Sequence, residues 1–302
     1  MLRLRMERLV AGRSRGRTEL LPPPAHLSLG DSRTFNLAVD PPEPVGGARL
    51  LLSRGGARHQ VPLVVERTAP GGGRLLTATA TLRGPGAEPD AAGLHLTSGV
   101  WRLTVETTGP EGRVRRRGLP LEDTASARRY APDFRTGALI RLVRCPGGRA
   151  ALQVDEAGPQ AELVRFEPRG DGVTLRGRLL AAPPTARRAE AVRHADDTVV
   201  PLEVAWEGRE FSLDLPLGEL AGSAATGPWT WGFRLVPAPA RHEPEAPDRL
   251  VLARRLSGPR SPRAVFRHPA RLCALPCGSL VRVQPYFTAS GAFALTCLDL
   301  SN

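Results

Sequence analysis

At 302 residues, with 41% apolar and 24% charged residues, the chain has room for two domains and an ordinary globular composition, which excludes wholesale disorder. Its formal charge of +12 rests on 42 basic residues, all of them arginine. With no lysine, a P-loop, a pyridoxal Schiff base and a Ser-x-x-Lys hydrolase are excluded within this chain.

Ile140 is the single isoleucine, and Asn36 and Asn302 are the two asparagines. Residues with AT-rich codons are scarce throughout, so coding bias accounts for part of the arginine excess. A basic surface attracts polyanions whatever its origin. Aromatic residues are 5%, and basic and aromatic residues do not interleave as in single-strand binders, so nucleic acid is disfavoured as a partner.

In chain order, Met1–Thr18 reads as a mobile basic arm. It carries charge at almost every second position and has no apolar h-region, so no signal peptide is expected. Its Gly12-Arg13-Ser14-Arg15-Gly16 matches Gly-x-Ser-x-Gly, but that elbow requires a preceding buried strand. Ser14 is therefore not assigned a catalytic role. Strand alternation begins at Thr34–Val39, with Phe35, Leu37 and Val39 on one face. It returns at Leu76–Leu82 and at Trp101–Val105, and Arg113, Arg115 and Arg117 alternate on one face of the next strand, flanked by Arg116. Asp40-Pro41-Pro42, Gly71-Gly72-Gly73 and Gly109-Pro110-Glu111-Gly112 mark turns. Beyond a boundary near Asp155–Pro159 the pattern resumes, with Phe211, Leu213 and Leu215 on one face. Residues Pro184–Ala191 could form a short helix, where the repeat described next calls for a loop.

Five segments recur in the same order. Gly30–Phe35 matches Gly170–Leu175, Val61–Val65 matches Val200–Val204, and Gly99–Trp101 matches Gly227–Trp229. Gly137–Leu142 matches Gly278–Val283, and Ala151–Val154 matches Ala294–Cys297. The offsets lie between 128 and 143 residues, which indicates an internal duplication. The expected fold is all-β: two tandem immunoglobulin-like β-sandwich domains, 19–156 and 160–302, each of seven or eight strands.

The Gly-x-Trp strand, the arginine-bearing strand and the ending Tyr286-Phe287-Thr288-Ala289-Ser290-Gly291-Ala292-Phe293-Ala294-Leu295 resemble the β-rich accessory modules of actinobacterial teichoic-acid-type glycosyltransferases and glycerophosphotransferases. The first copy lacks that ending and has Cys145-Pro146-Gly147-Gly148 instead. The resemblance implies an accessory role in cell-envelope polymer synthesis. Nothing matches the nucleotide-sugar or CDP-glycerol domain of those enzymes, so their transferase activity is not carried over.

Guanidinium groups bind phosphate bidentately, so the polyanion-binding candidates are Arg113, Arg115, Arg117, Arg254, Arg255, Arg263 and Arg267. Arg254-Arg255 occupies the strand of the second copy equivalent to Arg113–Arg117, and Arg128, Arg129, Arg260, Arg263 and Arg267 lie in the loops that follow; the structural alternative for all of them is a charged strand edge that blocks aggregation. Trp101, Trp229, Trp231 and Tyr286 are the aromatic candidates, the tryptophans being read first as core anchors and second as a sugar-stacking platform. Tyr286 and Phe287 are neighbours on a strand and must point to opposite faces. Cys273 and Cys277 have a spacing that zinc tolerates, but two further ligands are missing. Cys145 and Cys297 follow or lie on strands, and the six histidines are scattered. Asp196-Asp197 fits a solvated hairpin turn.

The expectation is therefore a non-enzymatic, cytoplasmic two-domain module with no metal or cofactor. It would bind an anionic glycan, a teichoic-acid-like chain or a partner transferase, and peripheral membrane contact stays open. The alternative is a protein–protein scaffold using the sandwich rims and the Pro-rich loop Pro237–Asp248.

Overall fold

The computed structural model describes residues 19–67, 74–122, 130–182, 187–223, 225–237, 249–258 and 268–301. Among them the protein is almost wholly β, with one helical turn, α1 (Leu217–Leu220). It divides into two compact units. The first holds the described residues up to Ala131 together with Leu139–Asp155; the second holds Pro132–Ala138 and the described residues from Glu156 onward.

In the first unit the strands are β1 (His26–Gly30), β2 (Thr34–Val39), β3 (Gly47–Arg54), β4 (Ala57–Pro62), β5 (Val64–Arg67), β6 (Arg74–Arg83), β7 (Leu94–His95), β8 (Gly99–Thr108), β9 (Val114–Gly118), β10 (Leu139–Cys145) and β11 (Arg149–Asp155). One sheet runs β1-β2-β6-β5, with β7 on β6. The other runs β10-β11-β8-β3-β4, with β9 on β8. Period-2 alternation is what makes these strands two-faced: Phe35, Leu37 and Val39 of β2 and Trp101, Leu103 and Val105 of β8 are buried, while their neighbours point outward.

In the second unit they are β12 (Gln160–Pro168), β13 (Val173–Leu180), β14 (Arg187–Arg193), β15 (Val199–Leu202), β16 (Ala205–Glu207), β17 (Glu210–Asp214), β18 (Trp229–Pro237), β19 (Leu250–Ala253), β20 (Arg271–Ala274), β21 (Leu280–Phe287) and β22 (Phe293–Asp299). One layer is β12-β13-β17-β16 and the other β20-β21-β22-β18, continuing through β14 to β15. Strand β19 joins them, antiparallel to β18 and parallel to β12. The core lies between the layers: Leu175, Leu213, Trp231, Phe233 and Leu295 belong to one buried cluster. The first unit has the same strand order, and a parallel bridge from Leu20 to Gly118 stands where β12 meets β19.

Four expectations change. Each unit has eleven strands among the described residues rather than seven or eight, because short edge pieces and an extra hairpin (β10–β11, β21–β22) are added. Arg187–Arg193 is a strand and not a helix, since Ala189 and Ala191 alternate into the core. Arg254 and Arg255, which the repeat places on the second copy's equivalent of the Arg113–Arg117 strand, follow β19 instead of lying on it. Finally, Trp101 faces Leu152 across the ladder, and Trp231 faces Leu295. With Leu152 matched to Leu295 in sequence, the ladders align Trp101 with Trp231 and Gly99 with Trp229, instead of Trp101 with Trp229.

Candidate anion-binding face

Strand β8 turns Trp101, Leu103 and Val105 into the core and Arg102, Thr104 and Glu106 to the outer face of its sheet. The ladder places Arg49 of β3 and Arg116 of β9 directly across from Glu106, one on each side. Arg49 Nε donates to Glu106 Oε1 at 2.5 Å and Arg116 Nε donates to Oε2 at 2.6 Å. Arg58 of β4 approaches Oε2 at 3.6 Å. Its register partner is Ser53, so its side chain crosses the sheet above Leu51 and Thr104 to reach that point. Leu51 points outward yet is only 4% exposed, as expected beneath aliphatic arginine stems.

The carboxylate is buried, with 2% of its side chain exposed, whereas the three guanidinium-bearing side chains are 39–57% exposed. The Arg116 hydrogen bond, and after it that of Arg49, holds the Glu106 carboxyl below the usual glutamate range against the opposing effect of burial. Arg102 adds a fourth exposed guanidinium on the same face, paired across the ladder with Ser53 and Ala151. Three arginines around one acid, with Arg102 four residues along the strand, leave three formal positive charges in surplus among these five residues. Glu106 prevents mutual repulsion from splaying the arginines, and the outward donors stay open to solvent. Such an arrangement can take up phosphate or sulfate groups along an extended chain.

The residues expected from sequence fall elsewhere. Arg113 precedes β9 and is exposed. Arg115 is ion-paired with Glu43. Arg117 is 8% exposed, donates to Glu19 Oε2 at 2.9 Å and lies 3.3 Å from Glu43. Its pairing with Glu19 raises its pKa and lowers that of Glu19. Arg115 and Arg117 thus neutralise acids of their own unit. Arg254 donates to the carbonyls of Arg255 (3.2 Å) and Gly258 (3.5 Å), and Arg255 donates to Val164 O at 2.5 Å, so both brace the backbone after β19. Arg263, Arg267, Arg128, Arg129, Arg260, Ser14 and residues 238–248 of the Pro-rich loop lie outside the described residues.

Trp101 is buried, its Nε1 donating to Thr97 O at 2.8 Å; Trp231 is buried and donates to Leu220 O at 2.7 Å. Trp229 is half-buried, with the Arg193 guanidinium 4.2 Å above its ring. Arg193 is also paired with Asp196 in the β14–β15 turn, which lowers the Asp196 pKa well below the usual range. Tyr286 is half-buried on the outer side of β21, while Phe287 packs against Phe293. Cys273 and Cys297 are buried, Cys145 is partly exposed and Cys277 exposed. No metal-binding group of three or more His, Cys, Asp or Glu occurs among the described residues.

Sequence reading missed Arg49, Arg58 and Arg102 because their convergence depends on ladder register across three strands. Glu106 is the one hint available: it breaks the run of Thr residues on the outward side of its strand.

The fold and this face define a β-rich, two-unit protein with an arginine-covered sheet. No family model and no curated protein matches the chain. Among solved structures it is similar in part to residues 217–571 of TarS from S. aureus, at 13% identity and a TM-score of 0.34, over 58% of this chain and 48% of that one. A fuller TarS structure is similar at 8% identity and a TM-score of 0.29, over 65% of this chain and 34% of that one. A pullulanase from Anoxybacillus sp. LM18-11, complexed with maltotriose, follows at 8% and 0.18, over 71% and 24%. The chain thus spans about half, a third and a quarter of these proteins. No helix among the described residues is long and apolar enough to cross a membrane.

Proposed function

We propose that the chain is a non-catalytic binding module that holds an anionic, teichoic-acid-like polymer on the outer face of the β10-β11-β8-β3-β4 sheet. The observation that carries this reading is the gathering of Arg49, Arg58 and Arg116 around one buried carboxylate, with Arg102 further along the same open sheet face. The sequence resemblance supplies the polymer class. A cytoplasmic, accessory role in envelope polymer synthesis belongs to the same proposal.

The two units are, on this reading, duplicated immunoglobulin-like sandwiches. Their common strand order supports it: β1-β2-β6-β5 and β12-β13-β17-β16 follow the A-B-E-D pattern, and β4-β3-β8-β9 and β15-β14-β18-β19 follow C′-C-F-G.

The test is binding of poly(glycerol phosphate) across a salt series, with double-stranded DNA and dextran sulfate as competitors. Three neutralised phosphates give a log–log salt slope of about −2, taking roughly 0.7 per charge as for single-stranded polyanions. Arg58→Gln together with Arg102→Gln should reduce affinity and flatten the slope. Equal displacement by all three polyanions would mean unselective charge, and a salt-independent or absent interaction would sink the proposal. The scaffold alternative then remains, and a stoichiometric protein partner would favour it.

A further inference from the structure

The second unit carries a different kind of surface at the equivalent place. In β18 the inward residues are Trp231, Phe233 and Leu235, so Thr230 and Gly232 face outward. In β22 the outward residues include Thr296, and in β21 they include Gln284 and Tyr286, with the exposed Arg282 one row further along the strand. The ladder aligns Gln284 with Thr296 and Thr296 with Thr230, and the backbone N–H of His194 donates to Thr230 O at 2.9 Å. His194, Thr230, Thr296 and Gln284 therefore form one row across four strands, roughly 14 Å long at the usual strand spacing. Tyr286 stands beside it in the adjacent row.

Three further observations distinguish this row from an ordinary wetted sheet. The His194 ring lies over Gly232, where an added Cβ would be 2.9 Å from Nε2, so the absent side chain lets the ring lie on the sheet. The two threonine hydroxyls are 3.3 Å apart and bonded to each other, which orients them and leaves lone pairs facing outward. The side chains of His194, Gln284 and Tyr286 make no hydrogen bond among the described residues, although Gln284 alone offers two donors and an acceptor. The first unit differs at each matched position. By ladder register, which shifts the Gly137–Leu142 match by two residues, Arg102 stands in place of Gly232, Val143 in place of Tyr286, and Arg141 in place of Gln284. There Arg141 and Gln153 are both bonded to Asp155, so that row is satisfied internally.

We infer that the outer face of β14-β18-β22-β21 is a binding site for a neutral polyhydroxylated ligand, a sugar or oligosaccharide. The row itself holds amide, hydroxyl and imidazole groups and no arginine or carboxylate, and it matches alternating ring hydroxyls; Arg282 lies one row away, and Arg188 and Arg234 are paired with Glu190. A half-buried tyrosine beside it offers an apolar ring edge or face to sugar C–H groups while keeping its hydroxyl wet. The inference stands independently of the anion-binding face, which lies on the other unit.

The experiment is amide-shift NMR and calorimetric titration of the full chain with maltotriose, cellotriose, mannotriose and tri-N-acetylglucosamine, repeated with Gln284→Ala, Tyr286→Ala and Arg58→Gln. The expected result is saturable binding of at least one of these sugars. Gln284→Ala and Tyr286→Ala should each weaken it about tenfold, the loss of about 1.4 kcal/mol, with Arg58→Gln unchanged. Gln284 is exposed, so its truncation keeps the test valid even if Tyr286→Ala alters folding. No saturable binding of any of the four sugars, or binding indifferent to both β21 substitutions, would overturn the inference. Poly(glycerol phosphate) binding serves as the second readout: its loss in Arg58→Gln with sugar binding intact, or the reverse in Gln284→Ala, tells the two sites apart.

Discussion

Replacing Glu106 with glutamine should move stability and anion affinity in opposite directions. The carboxylate accepts two charged hydrogen bonds, at 2.5 and 2.6 Å. Bonds to charged groups contribute about 1.5–3 kcal/mol each when both partners are buried. Here the carboxylate is buried but Arg49 and Arg116 are about half exposed, so their donors regain water when the charge is removed. The amide also keeps one acceptor. The net cost is therefore about 1–2 kcal/mol, well short of the roughly 3–5 kcal/mol expected when a buried charge is left alone. For a unit of this size that lowers the melting transition by roughly 2–8 °C, readable by differential scanning calorimetry at pH 7.

The pH dependence follows from the same contacts. The folded Glu106 carboxyl titrates below its unfolded value of roughly 4.3, chiefly through Arg116. Its contribution is complete above that value and is lost as pH falls through the folded pKa. The stability gap between wild type and Glu106→Gln should be constant near neutrality and close in acid. Meanwhile the substitution raises the surplus charge of the face by one. Poly(glycerol phosphate) should bind more tightly, with the salt slope steepening from about −2 to about −3. A variant as stable as wild type at pH 7, or one whose polymer affinity and salt slope match wild type, would refute the picture of a buried carboxylate that holds the arginines and offsets one of their charges.

Arg117→Ala should destabilise the first unit while leaving polymer affinity within about twofold, because its guanidinium is committed to Glu19 and Glu43; melting and binding measured on one preparation check this. Trp231→Ala should cost about 3–5 kcal/mol, enough to lower the second unit's transition by roughly 6–20 °C, whereas the half-buried Trp229→Ala should cost clearly less. Equal effects would contradict the equivalence of Trp231 with Trp101. In native protein at pH 8 a thiol reagent should label Cys277 first, since it is exposed and hydrogen bonds from Ser279 lower its pKa. Cys297, buried and pushed up to about 12, should react only on unfolding. Mass spectrometry of the labelled peptides reads the order.

Period-2 alternation made the strands readable from sequence, because each strand must hide one face: Phe35, Leu37 and Val39, or Phe211 and Leu213, declare their inward side without any knowledge of partners. Tyr286 and Phe287 were assignable to opposite faces for the same reason. The Arg187–Arg193 strand was not readable, since its inward residues are the small Ala189 and Ala191, which favour helix by propensity and become buried only because β18 lies alongside.

The arginines show the division most clearly. Their number follows from the sequence, but which of them remain exposed and available does not. Arg115 and Arg117 sit in a dense basic run and are neutralised by Glu19 and Glu43, more than 70 positions earlier. Arg49, Arg58 and Arg116, scattered in sequence, converge on Glu106 because three antiparallel ladders bring them there in register. Inward or outward orientation is a local property of a strand and is written in the order of its residues. Pairing between charges is non-local, since it depends on ladder register and on the distance a side chain can reach across the sheet, and the tertiary structure alone decides it.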